Sequence, residues 1–82
     1  MLGVLVPPVP VPKDGFIAQL EGVARRGGRT RWRSTDGKRI YEWDGLHGEL
    51  EVYNDRGRHL GVLDPITGNQ IKEAERGRKI DV

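Results

Sequence analysis

The sequence predicts an α+β fold, mostly β, in which one short N-terminal helix precedes an antiparallel meander. Three observations carry this. A helical period is confined to residues 14–24, the texture turns to period two after Gly28, and tight-turn signals recur at Asp36–Gly37, at Asp55–Gly57 and over Asp64–Asn69.

The elements follow in order. Pro7, Pro8, Pro10 and Pro12 hold four of the five prolines, and an alternating Val/Pro stretch favours polyproline II. Residues 1–13 therefore read as a semi-rigid linker, or as an ordered lead-in strand laid on the domain, with the folded domain over 14–82. Asp14 can cap a helix, and Phe16, Ile17, Leu20, Val23 and Ala24 would share one helical face. Arg25 and Arg26 suit the end of that helix and Gly27–Gly28 its stop, while Gly22 weakens it by about 1 kcal/mol relative to alanine. Strands are expected over Arg29–Arg33, Lys38–Trp43, His47–Tyr53 and His59–Leu63, with short final strands at Gln70–Ile71 and Lys79–Val82. Such short strands joined by turns describe a meander.

Size limits what the fold can enclose. A chain of 82 residues and 9.2 kDa buries only about 60% of its unfolded surface. Residues AVILMFWYC make up 35%, and 12 glycines add no side chain to bury, so the core is thin and a large enclosed substrate cavity is not expected. The absence of cysteine excludes disulfides and thiolate metal sites. No apolar run of about 18 residues is present, so neither a membrane span nor a membrane anchor is expected. The opening MLGVLVPPVPVP lacks the basic start of a signal peptide.

The net charge is only +2, but the charges are sorted along the chain. From Arg25 to Arg39 seven bases (Arg25, Arg26, Arg29, Arg31, Arg33, Lys38, Arg39) face Asp36 alone. From Tyr41 to Asp55 five acids (Glu42, Asp44, Glu49, Glu51, Asp55) meet no base. Basic flanks suit a polyanionic partner, yet the acidic centre would repel phosphate. That conflict needs a chemical reason.

Period two on His47–Tyr53 places His47, Glu49, Glu51 and Tyr53 on one face, expected to be the wetter one, with Leu50 and Val52 towards the core. An imidazole beside carboxylates is the minimum kit for general acid–base chemistry. On a flat strand residues 47 and 51 stand about 13 Å apart, so Gly48 is where the chain must kink to bring them onto one phosphodiester. The same E-x-E spacing is also what a solvated sheet face carries. Asp44 can orient His47 or serve as a turn residue with Gly45. His59, with no carboxylate near it in sequence, reads as structural or RNA-facing. Two histidines without H-E-x-x-H or cysteine make a weak metal set, and Walker, G-x-S-x-G and G-x-G-x-x-G patterns are absent. Neither metal nor cofactor is expected. Arg29, Arg31, Arg33, Lys38, Arg39 and Arg58, with Trp32 and Tyr41 for stacking, form the candidate RNA surface, although Trp32 equally suits a core anchor. Together these residues suit a metal-independent ribonuclease. In that chemistry a carboxylate takes the 2′-hydroxyl proton, an imidazolium protonates the leaving 5′-oxygen, and an arginine stabilises the phosphorane. A non-catalytic RNA- or ribosome-binding module and a protein-interaction domain are the competing classes.

The stretches KRIYEWDGLHGELEVY and HLGVLDPITGNQIK strongly resemble the cytotoxic domain of the ribosome-inactivating ribonuclease colicins and cloacin, and of related contact-dependent inhibition toxins, over residues 28–80. The resemblance implies a strongly twisted antiparallel sheet with a short N-terminal helix. It also implies a single cut in 16S ribosomal RNA at the decoding site of the 30S subunit within the 70S ribosome. By position it assigns catalysis to Asp44, His47 and Glu51, with Glu49 as the intervening glutamate and Arg78 as the late arginine. It further implies a monomer silenced by an acidic immunity protein. Such a domain is secreted or surface-delivered within a larger bacterial toxin and acts in the target-cell cytoplasm. Gly45–Leu46 and Glu73–Gly77 depart from the family's pattern.

Overall fold

Four short polar side chains set the turns of this molecule. The carboxylate of Asp36 accepts the Lys38 N–H and the Ser34 hydroxyl, and that of Asp44 accepts the N–H groups of Leu46 and His47. Asn54 Oδ1 accepts the N–H groups of Arg56 and Arg58, and Asp64 Oδ1 those of Ile66 and Thr67. A side chain that satisfies turn N–H groups stands in for a ladder partner and reverses the chain there. The computed structural model describes residues 7–82, so the first six residues of the expected linker lie outside the described residues.

Between the turns run β1 (Glu21–Val23), β2 (Arg31–Arg33), β3 (Arg39–Asp44), β4 (Glu49–Asn54), β5 (His59–Leu63) and β6 (Gln70–Glu73). They form one antiparallel sheet in chain order. The expected mostly-β meander is present. No helix among the described residues is long and apolar enough to cross a membrane.

The expected N-terminal helix does not form. Only Ile17–Gln19 makes a single 3-10 turn, Leu20 is extended, and Glu21–Val23 pairs with β2 instead. The N–H groups of Phe16 and Ile17 donate to Ile66 and Pro65 of the β5–β6 turn, so the segment is tied to the sheet before a helix can extend. Gly22 adds no helical preference, and Val23 and Ala24 end up exposed. The apolar period was real only as far as Leu20. Lys79–Val82 likewise forms no strand, and its pairing is reduced to one bridge between Arg58 and Lys79.

One sheet face holds the apolar core. Trp32, Tyr41 and Val52 lie side by side on β2–β4, with Trp43 and Leu50 in the adjoining row. Ile17 is buried against them, and Val11, Phe16, Leu20, Leu60 and Leu63 close the edges. The stretch from Pro7 to Pro12 contains no regular element, yet Val9 is tied down: its N–H donates to Gly45 and its carbonyl accepts the Trp43 indole at 2.8 Å.

The opposite face was expected to be the wetter one. It is buried too. Arg31, Glu42, Glu51 and Val62 follow one another across β2–β5, with Ile40, Tyr53 and His59 alongside, and all seven are buried. The cover is the C-terminal segment, which leaves β6 at Ala74 and rejoins the same side of β5 at Arg78. Arg78 accepts the His59 N–H, and the Ile80 N–H donates to Gly57. Gly57 has positive φ, and any Cβ there would strike the Ile80 backbone, so this docking requires glycine.

Candidate active site

The β3–β4 turn builds the first half of the site. Asp44 ends β3 with one carboxylate oxygen holding the turn and the other, Oδ2, 2.7 Å from His47 Nδ1. His47 thus stands on the turn and not on the strand, which begins at Glu49. The kink expected at Gly48 is present as a positive φ of 68°, and a Cβ there would press on Val9. The turn brings an imidazole back over the strand that follows.

Burial opposes ionisation of Asp44, but the hydrogen bonds from the His47 ring and backbone outweigh it and hold the carboxyl below its ordinary value. An ionised Asp44 only accepts, so Nδ1 carries a proton and Nε2 is the atom free to exchange one. The His47 side chain is 55% exposed against 10% for Asp44. One partner is fixed and the other is accessible.

Glu51 makes the second half, from the middle of β4. Its residue is 2% exposed, and Oε1 lies 2.9 Å from both His59 Nε2 and Arg78 Nη1. Oε2 accepts no hydrogen bond from a described residue, and no side-chain oxygen among them is both buried and unpartnered. Glu51 lines the cleft, and Oε2 is the oxygen not taken by His59 or Arg78. The Arg78 guanidinium also reaches Glu75 at 3.2 Å and lies over the Tyr53 ring, 5.9 Å from its centroid. Burial lowers the Arg78 pKa, but Tyr53 and Glu51 raise it more, and the net shift is upward.

His59 belongs to this site, where its sequence neighbours had pointed to a structural or RNA-facing role. The five-residue turn after Tyr53 pairs His59 with Tyr53, and a bulge then shifts the β4–β5 register. Nδ1 accepts the Glu75 N–H at 2.9 Å, which leaves the ring proton on Nε2, aimed at Glu51. The Tyr53 ring packs edge-on against it at 5.2 Å. The turn length was the signal available in the sequence, since it makes residue 59 a diagonal neighbour of Glu51.

Asp44, His47, Glu49, Glu51 and Arg78, the five expected catalytic residues, all line one cleft of about 190 Å³, together with His59 and Lys72. Glu49 pairs with Lys72 at 3.1 Å. Asp44, Glu49 and Glu51 offer oxygens within 4.8 Å of one another, close enough to share a cation. Each is instead matched by a side chain: His47 on Asp44, Lys72 on Glu49, His59 and Arg78 on Glu51. Five carboxylates and two fixed cations line the cleft, so it is acidic apart from its histidines.

The expected RNA-contacting residues divide by burial. Arg29, Lys38, Arg39 and Arg58 are exposed, and Arg33 is half-buried with its guanidinium on the Gly37 carbonyl. Trp32 and Tyr41 are core residues, and neither presents a ring face for a base. Arg31 is buried with Nε and Nη2 on Glu42 Oε2 at 3.0 and 2.6 Å. The alternation Arg-Trp-Arg reflects a strand covered on both faces: Trp32 takes the core-anchor role of its two expected ones, and Arg31 is buried where an RNA-facing side chain had been expected.

The family described as Cytotoxic matches residues 12–81. Over 55 residues, 66% of this chain, it is 53% identical to colicin E3, 51% to colicin E6 and 49% to cloacin, all of Escherichia coli. It spans about 10% of the length of each. The clustered Asp44, His47, Glu51 and Arg78 lie inside the stretch that the family covers, and this chain belongs to the Cytotoxic family.

Proposed function

We propose that the chain is a metal-independent endoribonuclease toxin that cuts 16S ribosomal RNA at the decoding site and so stops translation. The observation that supports it best is the meeting, in one cleft, of an accessible imidazole fixed through Nδ1 and a buried carboxylate with one oxygen open. A 2′-hydroxyl gives its proton to Glu51 Oε2 as it attacks the adjacent phosphorus. His47 Nε2, as imidazolium, protonates the departing 5′-oxygen. The P–O5′ bond breaks, the chain ends in a 2′,3′-cyclic phosphate, and the two protons balance without a bound ion. Arg78 neutralises charge on the phosphorane oxygens, while Asp44 and His59 hold the two catalytic groups in position.

The exposed Arg29, Lys38, Arg39 and Arg58 supply contacts to ribosomal RNA. Likeness to colicins and cloacin supports delivery within a larger secreted toxin, action in the target-cell cytoplasm, and silencing by an acidic immunity protein. The test is to incubate the chain with ribosomes and a chelator, then map the RNA by primer extension. One discrete stop at the decoding site, with a cyclic phosphate end, is the expected result. Intact RNA, with the chain still bound to ribosomes, makes it a binding module instead.

A further inference from the structure

On the same sheet face, across Arg78 from the catalytic cleft, lies a second concavity of about 300 Å³. Its electrostatics are the reverse of the first. Arg26, Arg29, Arg31, Arg78 and Lys79 line it, opposed only by Glu42 and Asp81. Arg31 engages Glu42 through Oε2 alone, and Asp81 is an exposed partner of Arg26 at 3.4 Å.

Arg31 gives this cleft a built floor. The residue is 4% exposed, and Glu42 engages Nε and Nη2. Glu42 does not engage Nη1, and Arg31 lines the cleft, so Nη1 is the N–H edge left for an anion. A buried guanidinium held by its carboxylate partner, with an N–H edge left over and further cations around it, is suited to an oxyanion. Glu42 and Asp44 mark the two clefts on one strand, two residues or about 7 Å apart, a spacing comparable with that of successive phosphates in an extended RNA strand.

We propose that this basic cleft is a subsite for a non-scissile phosphate of the RNA strand, next to the linkage held over Glu51 and His47. The inference rests on the ribonuclease reading and deepens it. An acidic catalytic cleft repels phosphate, and its neighbour supplies the attraction that holds the strand there. Arg78, shared by both concavities, touches the scissile and the flanking phosphate groups. A recess with a buried guanidinium at its base favours a small tetrahedral anion over the broad face of an acidic protein.

The experiment measures binding of a short 2′-O-methyl oligoribonucleotide, which cannot undergo transesterification, as salt is varied. The variant Arg26→Gln/Arg29→Gln/Lys79→Gln is compared with Lys13→Gln/Arg25→Gln/Arg76→Gln, which removes equal charge elsewhere. All six residues are exposed, so both variants are expected to fold, and circular dichroism checks this. Expected is a roughly tenfold loss of affinity and a salt slope shallower by about one for the cleft variant, against less than threefold for the other. Equal losses in both variants overturn the subsite, as does no loss in either, the latter leaving the cleft to an acidic protein. Cleavage of ribosomes by the wild-type chain is scored separately. Cleavage without a cleft effect sinks the subsite alone, whereas a cleft effect without cleavage sinks the ribonuclease reading and leaves an RNA-binding cleft.

Discussion

The two faces of the sheet across β2–β5 are both buried and are held by different forces. One presents Trp32, Tyr41, Trp43, Leu50 and Val52, whose removal from water stabilises the fold at any pH. The other presents Arg31, Glu42, Glu51 and His59, where each charge is tolerable only because its neighbour is in place. The lesson is a division of labour. The apolar face carries stability, and the ionic face spends part of it to hold reactive groups dry and oriented.

Substitutions at the two groups proposed for catalysis should separate these roles most widely. Glu51→Gln removes the proton acceptor and the partner of Arg78, so cleavage should fall by about 10²–10⁴-fold, with a lower unfolding midpoint. His47→Ala should lose a similar factor in rate and less stability than Glu51→Gln, because that ring is 55% exposed and only its hydrogen bond to Asp44 is lost. Single-turnover cleavage of ribosomes and urea unfolding read both quantities. Equal stability losses in the two variants would contradict the division.

Next in size is Arg31→Met, which leaves the Glu42 carboxylate buried without its two hydrogen bonds. A loss of about 3–5 kcal/mol is expected from denaturant titration. Leu50→Ala tests the other face, with about 2–5 kcal/mol lost and the cleavage rate of the folded fraction retained. A rate collapse at full folding would show that the faces are not independent.

The smallest effect is one of pH. Asp44 titrates lower in the fold than in the unfolded chain, so its contribution is present above the ordinary carboxylate value and is lost as pH falls through the folded pKa. Wild-type stability should therefore decline below about pH 4, and Asp44→Asn should flatten part of that decline. The rest remains with Asp36 and Asp64. The Ser34 hydroxyl and Lys38 N–H lower the former, and the Thr67 and Ile66 N–H groups lower the latter. Urea midpoints at several pH values measure the difference.

Much of this was legible in the residues. Asp36–Gly37 announced its hairpin, His59–Leu63 has the expected bounds, and the expected catalytic five do share a cleft. What failed depended on distant chain. The helix gave way because Phe16 and Ile17 find acceptors in a turn some 50 residues on. Period two assigned Glu51 and Leu50 to opposite faces but could not tell that residues 74–80 would cover one of them. Arg31 therefore read as surface when it is a buried partner of Glu42, and His59 was left outside a site that only pairing across a turn, followed by a bulge, could bring to it.

Glu51 is oriented by His59, whose ring is fixed by the Glu75 backbone, and by Arg78. Timing during biosynthesis follows from this. A nascent chain displays the His47 turn early, but its carboxylate stays unrestrained until the region beyond Glu75 has cleared the exit tunnel. The order of emergence from the ribosome thus makes the proposed proton acceptor the last group of the site to be positioned.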